Sequence, residues 1–299
     1  FEEVVSGLSG GQKLAILRKV ARGLTGDETQ VEQVFEGVLT GAYKLVVQDA
    51  TIKLVDRHGR WIPLAGMSEE VVDANRDFHL VQPSLDYAAV HARYTRYMPD
   101  HEFVSAEQFQ QYSLELIDRV KGDRQVANLT EGVHLPVCFP KCEVADYGTI
   151  LENLFLEATG RAYTEAFPGR TFENWRRGTL AGQVSIIAGT RHERLLSAMR
   201  QGPVAGVYFP TCLQGFSIPA DRAMARQFPE DMILTGAFEP SLGFVGYSEV
   251  LGRDFNTPAL DCAAVSWQDT GDSLYLGPRG GSLDFGSRGL DARGRCSGG

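Results

Sequence analysis

The stretch SLYLGPRGGSLDFGSRGLDARGR, residues 273–295, alternates apolar and polar residues in short runs punctuated by glycine. Leu274 and Leu276 flank Tyr275, Leu283 and Phe285 flank Asp284, and Leu290 and Ala292 flank Asp291, with Arg293 and Arg295 continuing the polar parity. Successive side chains on a strand point to opposite faces, so each run predicts a β-strand with one apolar side. Leu274, Leu276, Leu283, Phe285 and Leu290 are expected inside and Tyr275, Asp284 and Asp291 outside; a one-residue slip would exchange the two sets. GPRGG (277–281) and GSRG (286–289) read as compact turns between strands. Outward positions and flanking residues then gather Trp267, Gln268, Asp269, Asp272, Tyr275, Arg279, Asp284, Arg288, Asp291 and Arg293 on a small scaffold. Aromatic and arginine side chains at this density are favoured at binding interfaces, so these ten are the candidate ligand-binding residues.

Upstream, the chain reads mainly helical. Ser9 caps a helix carrying Leu14, Leu17, Ala21 and Leu24, and Val31, Val34, Phe35, Val38 and Leu39 make a second apolar stripe, the pair joined through Gly26-Asp27. Residues 51–64 predict a β-hairpin, with Arg57-His58-Gly59 at its turn. Residues 77–100 interleave Tyr87, His91, Arg93, Tyr94, Arg96 and Tyr97, which reads as a partly buried helix with a basic face rather than a base-stacking surface. Ser105 and Gln108 form a capping box for a helix carrying Phe109, Tyr112, Leu116 and Val120. Further helices are expected at 148–166, at 191–200 and after Pro219, and beyond Pro203 the glycines predict strands and loops. The fold class expected is α+β: a helical part with a hairpin over 1–130, then a second domain over 131–299.

Composition narrows the function. The formal net charge of -9 repels phosphate backbones, which argues against a nucleic-acid partner. No apolar run reaches the roughly 20 residues that span a bilayer. Five cysteines are too few and too scattered for a disulfide framework. The cellular address stays open between the cytoplasm and export.

Three constellations could carry chemistry. His134, Cys138 and Cys142 in HLPVCFPKC are spaced i, i+4, i+8, which on a helix would gather metal ligands. Pro136 and Pro140 break such a helix, so neither a metal nor another cofactor is expected. A cysteine–histidine nucleophile pair would join Cys138 or Cys212 with His134 or His192, and the alternative reading of the chain is a thiol- or metal-dependent hydrolase using His134, Cys138 and Cys142. TRHER (190–194) is charge-dense and reads as a solvated or salt-bridged helix start. Glu239-Pro240-Ser241 is similar to the calcium-binding tripeptide of sugar-binding lectins but lacks an amide at its third position.

DCAAVSW (261–267), SLYL (273–276) and LDFGSRGLDARGRCSG (283–298) together resemble the C-terminal end of a C-type-lectin-like domain. More narrowly, the segment is similar to the variable proteins of diversity-generating retroelements, a likeness shared by VYFPT (207–211), LQGFS (213–217) and residues 247–258. It covers about the last 100 residues well, 132–200 loosely and the first 130 hardly at all. The chain departs from that pattern in lacking a run of asparagine-derived positions. The resemblance implies a lectin-like domain over 131–299 whose segment from about 261 to 299 varies between copies of the gene through an error-prone reverse transcriptase. It implies a non-enzymatic display protein that binds a protein or surface ligand, with a homo-oligomer as a further option. It also implies that Cys262 and Cys296 lie close together.

Overall fold

The computed structural model describes residues 53–64, 66–67, 71, 80–253, 257–268, 272–290 and 296–299. The chain divides after Thr51, and every described residue belongs to the unit Ile52–Gly299. The helix pair expected within 9–39, together with Asp269, Asp291, Arg293 and Arg295, lies outside the described residues.

The described chain is mixed α and β, with helices and small, largely antiparallel sheets. Helix α1 (Tyr87–Tyr97) starts at Asp86, whose carboxylate accepts the Ala89 N–H, and turns Val90, Tyr94 and Tyr97 inward. Its basic face is salt-bridged, Arg93 to Glu249 at 2.9 Å and Arg96 to Glu165 at 2.8 Å. Helix α2 (Ala106–Gly122) carries the expected capping box, with both reciprocal hydrogen bonds between Ser105 and Gln108. Strand β1 (Leu135–Phe139) follows, then α3 (Tyr147–Ile150), a π-helical segment (Leu151–Leu156) and α4 (Glu157–Ala166) in one continuous run. Between them, Leu151, Phe155, Ala158, Ala162 and Tyr163 face the core. The helix expected at 191–200 is α5 (His192–Gln201), and Ser217 caps α6 (Ile218–Met224), with Pro219 in its first turn. The described part of the 51–64 hairpin closes through a Val55–Trp61 bridge and an Asp56 side chain that accepts the His58 and Arg60 N–H groups.

At the centre of the larger core lies a helix where strands and loops were expected. Helix α7 (Phe238–Leu251) buries every residue except Glu249 and Val250, and α1, α4 and β1 pack around it. An apolar residue on every side leaves no 3.6-residue stripe, so periodicity gives no sign of such a helix. Its glycines are contact points rather than breaks. A Cβ at Gly246 would stand 2.6 Å from the Tyr94 hydroxyl, and one at Gly243 would stand 2.9 Å from Leu251 and 3.3 Å from Tyr208. Because α1 and α2 share this core, the division expected near residue 130 falls inside one unit.

Six strands form the main sheet in the order β2-β9-β8-β6-β10-β5: β2 (Thr171–Asn174), β9 (Ser282–Gly289), β8 (Asp272–Arg279), β6 (Ala259–Asp261), β10 (Cys296–Gly298) and β5 (Leu213–Gln214). Two two-stranded antiparallel sheets accompany it, β1 with β4 (Val204–Tyr208) and β3 (Val184–Ile186) with β7 (Val265–Trp267). Pairing across β8 and β9 sets Leu276 opposite Phe285 and Tyr275 opposite Gly286. Leu274, Leu276, Leu283 and Phe285 are all buried, while Leu290 is half-buried against the smaller core.

Three expectations about this sheet need correction. Residues 286–289 continue β9 instead of turning. Asp284 is buried as well as Phe285, so β9 is covered on both faces at that point. Cys262 does not meet Cys296: the latter pairs with Ala259, and Cys262 lies three residues further along, about 10 Å at strand rise. Cys262 is a free, buried thiol. Among the described residues no helix is long and apolar enough to cross a membrane.

Candidate functional site

The β8–β9 ribbon carries a polar and aromatic group on each of its faces, one of them shared with the turn after β2. Tyr275 lies opposite Gly286, and a Cβ there would come within 3.2 Å of its ring, so glycine lets the ring lie flat across the neighbouring strand. The Arg288 guanidinium stacks on that ring, 4.8 Å from its centroid. On the opposite face, where Asp272 and Ser287 lie with Leu274, Leu276 and Phe285, Arg176 stacks on Trp267 at 4.2 Å and donates to the Ser287 hydroxyl at 2.7 Å. Ser287 in turn donates to the Asp272 carboxylate at 2.9 Å. Trp175 N–H donates to the Phe285 carbonyl at 3.0 Å, which extends the β2–β9 pairing and sets its side chain alongside, 64% exposed.

This geometry redistributes the sequence-derived candidates. Arg279, Gln268 and, in part, Asp272 and Tyr275 are accessible. Trp267 is only 9% exposed: its indole N–H donates to the Thr179 carbonyl at 3.2 Å and Arg176 covers its ring, so it floors the surface. Asp284 is buried, accepting from Ser282 at 2.8 Å, with the exposed Arg279 guanidinium 3.3 Å away. Arg288 is mostly buried because it pairs with the fully buried Asp261. These three residues hold the scaffold, for the physical reason that a charge or ring carried onto a covered strand must find a partner. Trp175 and Arg176 were not anticipated. Trp-Arg-Arg at 175–177 has interface composition, but only the long-range β2–β9 pairing joins it to the ribbon.

Beneath the surface lies a second acid. Asp221 is fully buried, and neither carboxylate oxygen has a hydrogen-bond partner. Burial holds its carboxyl well above the usual carboxylate range, against the pull of Arg288 and Arg222. A folded value raised above the unfolded one means the folded state binds the proton more tightly. Its stabilising contribution is then complete below the ordinary carboxylate range and is lost as pH rises towards the folded value. Asp221→Asn is expected to raise the melting temperature at neutral pH, with the gain shrinking as the buffer is acidified. Melting curves across pH would check it, and a variant less stable than the parent at neutral pH would refute it.

The thiol and histidine candidates do not form a site. His134 lies with Nδ1 3.1 Å from the Gly132 carbonyl. Cys138 is buried on β1, and burial pushes its thiol up to about 12, so it is protonated at neutral pH. Burial raises Cys142 and Cys212 as well. Among the described residues no group of three His, Cys, Asp or Glu side chains is gathered for a metal ion. His192, expected at a solvated or salt-bridged helix start, is fully buried. Its Nδ1 faces the Glu239 carboxylate at 3.1 Å and its Nε2 the Tyr147 hydroxyl at 3.2 Å. Helix α5 turns His192, Leu195 and Met199 inward at i, i+3 and i+7 and leaves the neighbouring charges outside.

Comparison with protein-family models, with curated proteins and with solved structures finds no match.

Proposed function

We propose that the chain is a non-enzymatic binding protein whose lectin-like C-terminal part presents the β8–β9 ribbon to a protein or surface ligand. We propose further that a retroelement diversifies the exposed positions of that ribbon. The observation that carries the reading is the order of the polar and aromatic side chains on the ribbon's two faces: Arg176 on Trp267 with the Arg176–Ser287–Asp272 hydrogen bonds on one, and Arg288 on Tyr275 on the other. Side chains held by their neighbours lose little freedom on binding, and exposed Trp175 beside them supplies apolar area. The buried Leu274, Leu276, Leu283 and Phe285 let the exposed residues change while the backbone pairing stays.

The test is at the gene. A reverse transcriptase beside it and a near-copy of its 3′ end are expected. Differences between individuals should fall on the codons for Asp272, Tyr275 and Arg279 and spare those for Leu274, Leu276, Leu283 and Phe285. Absence of both the enzyme and the near-copy would end the retroelement reading. Differences spread evenly over buried and exposed codons would end the claim that this face is for binding.

A further inference from the structure

Away from the ribbon, strand β4 pairs with β1 along one edge, in a two-stranded sheet. Paired residues of an antiparallel ladder alternate between those that exchange both backbone hydrogen bonds and those whose N–H and C=O groups point away from each other. Pro136 has no N–H, and its carbonyl accepts the Tyr247 hydroxyl at 3.0 Å, so Pro136–Val207 is a pair of the second kind. Two residues on, Cys138–Ala205 is another. The backbone groups of Ala205 and Val207 therefore point out along the free edge of β4. Among the described residues nothing hydrogen-bonds to them. The edge thus offers two N–H donors and two C=O acceptors, repeating at about 6.8 Å, the rise of two strand residues. Exposed strand edges are ordinarily blunted by charge or proline, and VAGVY, the whole of Val204–Tyr208, carries neither.

A cavity of about 360 Å³ lies on this edge. Its lining takes in Gly206 with Val137 and Phe139 from one face of the sheet, and Ala205 and Val207 from the opposite parity of β4, so it passes round the edge. Leu116 of α2 and Leu195 of α5 give it apolar walls. Ala205 and Val207 are half-buried, accessible but inside an apolar recess, where a hydrogen bond competes less with water. We propose that this edge takes a short extended peptide segment of a partner protein, apolar at its central residues, as a third strand beside β1 and β4. Main-chain hydrogen bonds to Ala205 and Val207 supply affinity, and the apolar walls select the alternate side chains. A hydrocarbon ligand would leave the four backbone groups unpaired. Helix α2 is tied to the segment 228–233 by Arg119 and Asp231 at 3.2 Å, an exposed ion pair of little worth, so these walls part at small cost. The site is separate from the ribbon, so its failure leaves the binding-face reading standing.

The experiment uses the whole chain and, as probe, the acetylated and amidated peptide Lys-Thr-Val-Ala-Val-Thr-Lys, read by calorimetry and by amide hydrogen exchange. Saturable binding is expected, with slowed exchange at the Ala205 and Val207 amides. The same peptide N-methylated at its three central residues keeps its side chains but loses the central donors on both of its edges, and should bind about 10-fold or more weakly. Ala205→Pro removes an outward donor from β4 and should weaken binding of the parent peptide about 5-fold or more. Proline is tolerated on an edge strand whose N–H faces no neighbour, so this variant is expected to fold. If it does not fold, the N-methylated peptide decides. No saturable binding of the parent peptide, or equal binding of its N-methylated form, would overturn the proposal. A dimer of the free chain that Ala205→Pro dissolves would assign the edge to a second copy and overturn it as well.

Discussion

Replacing Phe285 with alanine is expected to cost about 3–5 kcal/mol, the range for truncating a fully buried large aromatic. The ring is wholly buried, opposite Leu276 on β8 and Asn174 on β2, in the strand that both neighbours flank. Truncation removes apolar burial and leaves a cavity that a three-strand junction cannot close by shifting one element. Urea melts read the loss directly. The matching control is the double variant Trp175→Ala with Gln268→Ala, both at exposed positions, expected to change stability by no more than about 0.5 kcal/mol per site. If the exposed pair destabilises as much as Phe285→Ala, the surface side chains belong to the scaffold and the binding face is lost as an idea.

A loss of similar size is expected for Glu239→Ala, about 3–5 kcal/mol, because it removes one side of a buried pair. Its carboxylate faces His192 and accepts the Gly236 N–H, and the Gly236 side of the pair is closely packed. A Cβ on Gly236 would already stand 2.5 Å from both His192 Nε2 and the Tyr147 hydroxyl. Tyr147 is locked in turn by its stack on Phe238 at 4.2 Å and by the Ala237 N–H, which donates to its hydroxyl at 2.8 Å. Removing the carboxylate leaves the buried His192 imidazole and the Gly236 N–H without this partner. Glu239→Gln keeps the size and an acceptor for Gly236, and should cost markedly less. Equal melting of the two variants would show that the size and the acceptor kept by glutamine contribute nothing.

Local signals in the sequence read true where the physics is local. The Ser105–Gln108 box, the Pro219 helix start and the inward places of Leu274, Leu276, Leu283 and Phe285 each depend on a few neighbouring residues. What escaped depends on residues far apart. Helix α7 is covered on every side, so its pattern carries no stripe. Asp284 and Trp267 alternate as outward residues should, but Arg279 and Arg176 shield them from solvent. Charge density around His192 masked a correct helical spacing, since one inward residue among exposed charges dominates neither composition nor period. The parallel pairings β2–β9 and β6–β10 join segments separated by long stretches of chain, and no window of sequence contains both partners. The candidate site follows the same division: Tyr275 and Arg279 came from local alternation, whereas Trp175 and Arg176 enter through β2.

Strand β10 has one consequence for the gene. It sits between β6 and β5, pairing with both, so the six-stranded sheet is joined across that position only by residues 296–298. A single-base insertion or deletion in the codons for 261–295 changes every amino acid downstream and replaces this strand with unrelated sequence. Substitutions of one codon for another in the same interval leave it intact. A chain without β10 would leave unfilled the edges of β5 and β6 with which it pairs.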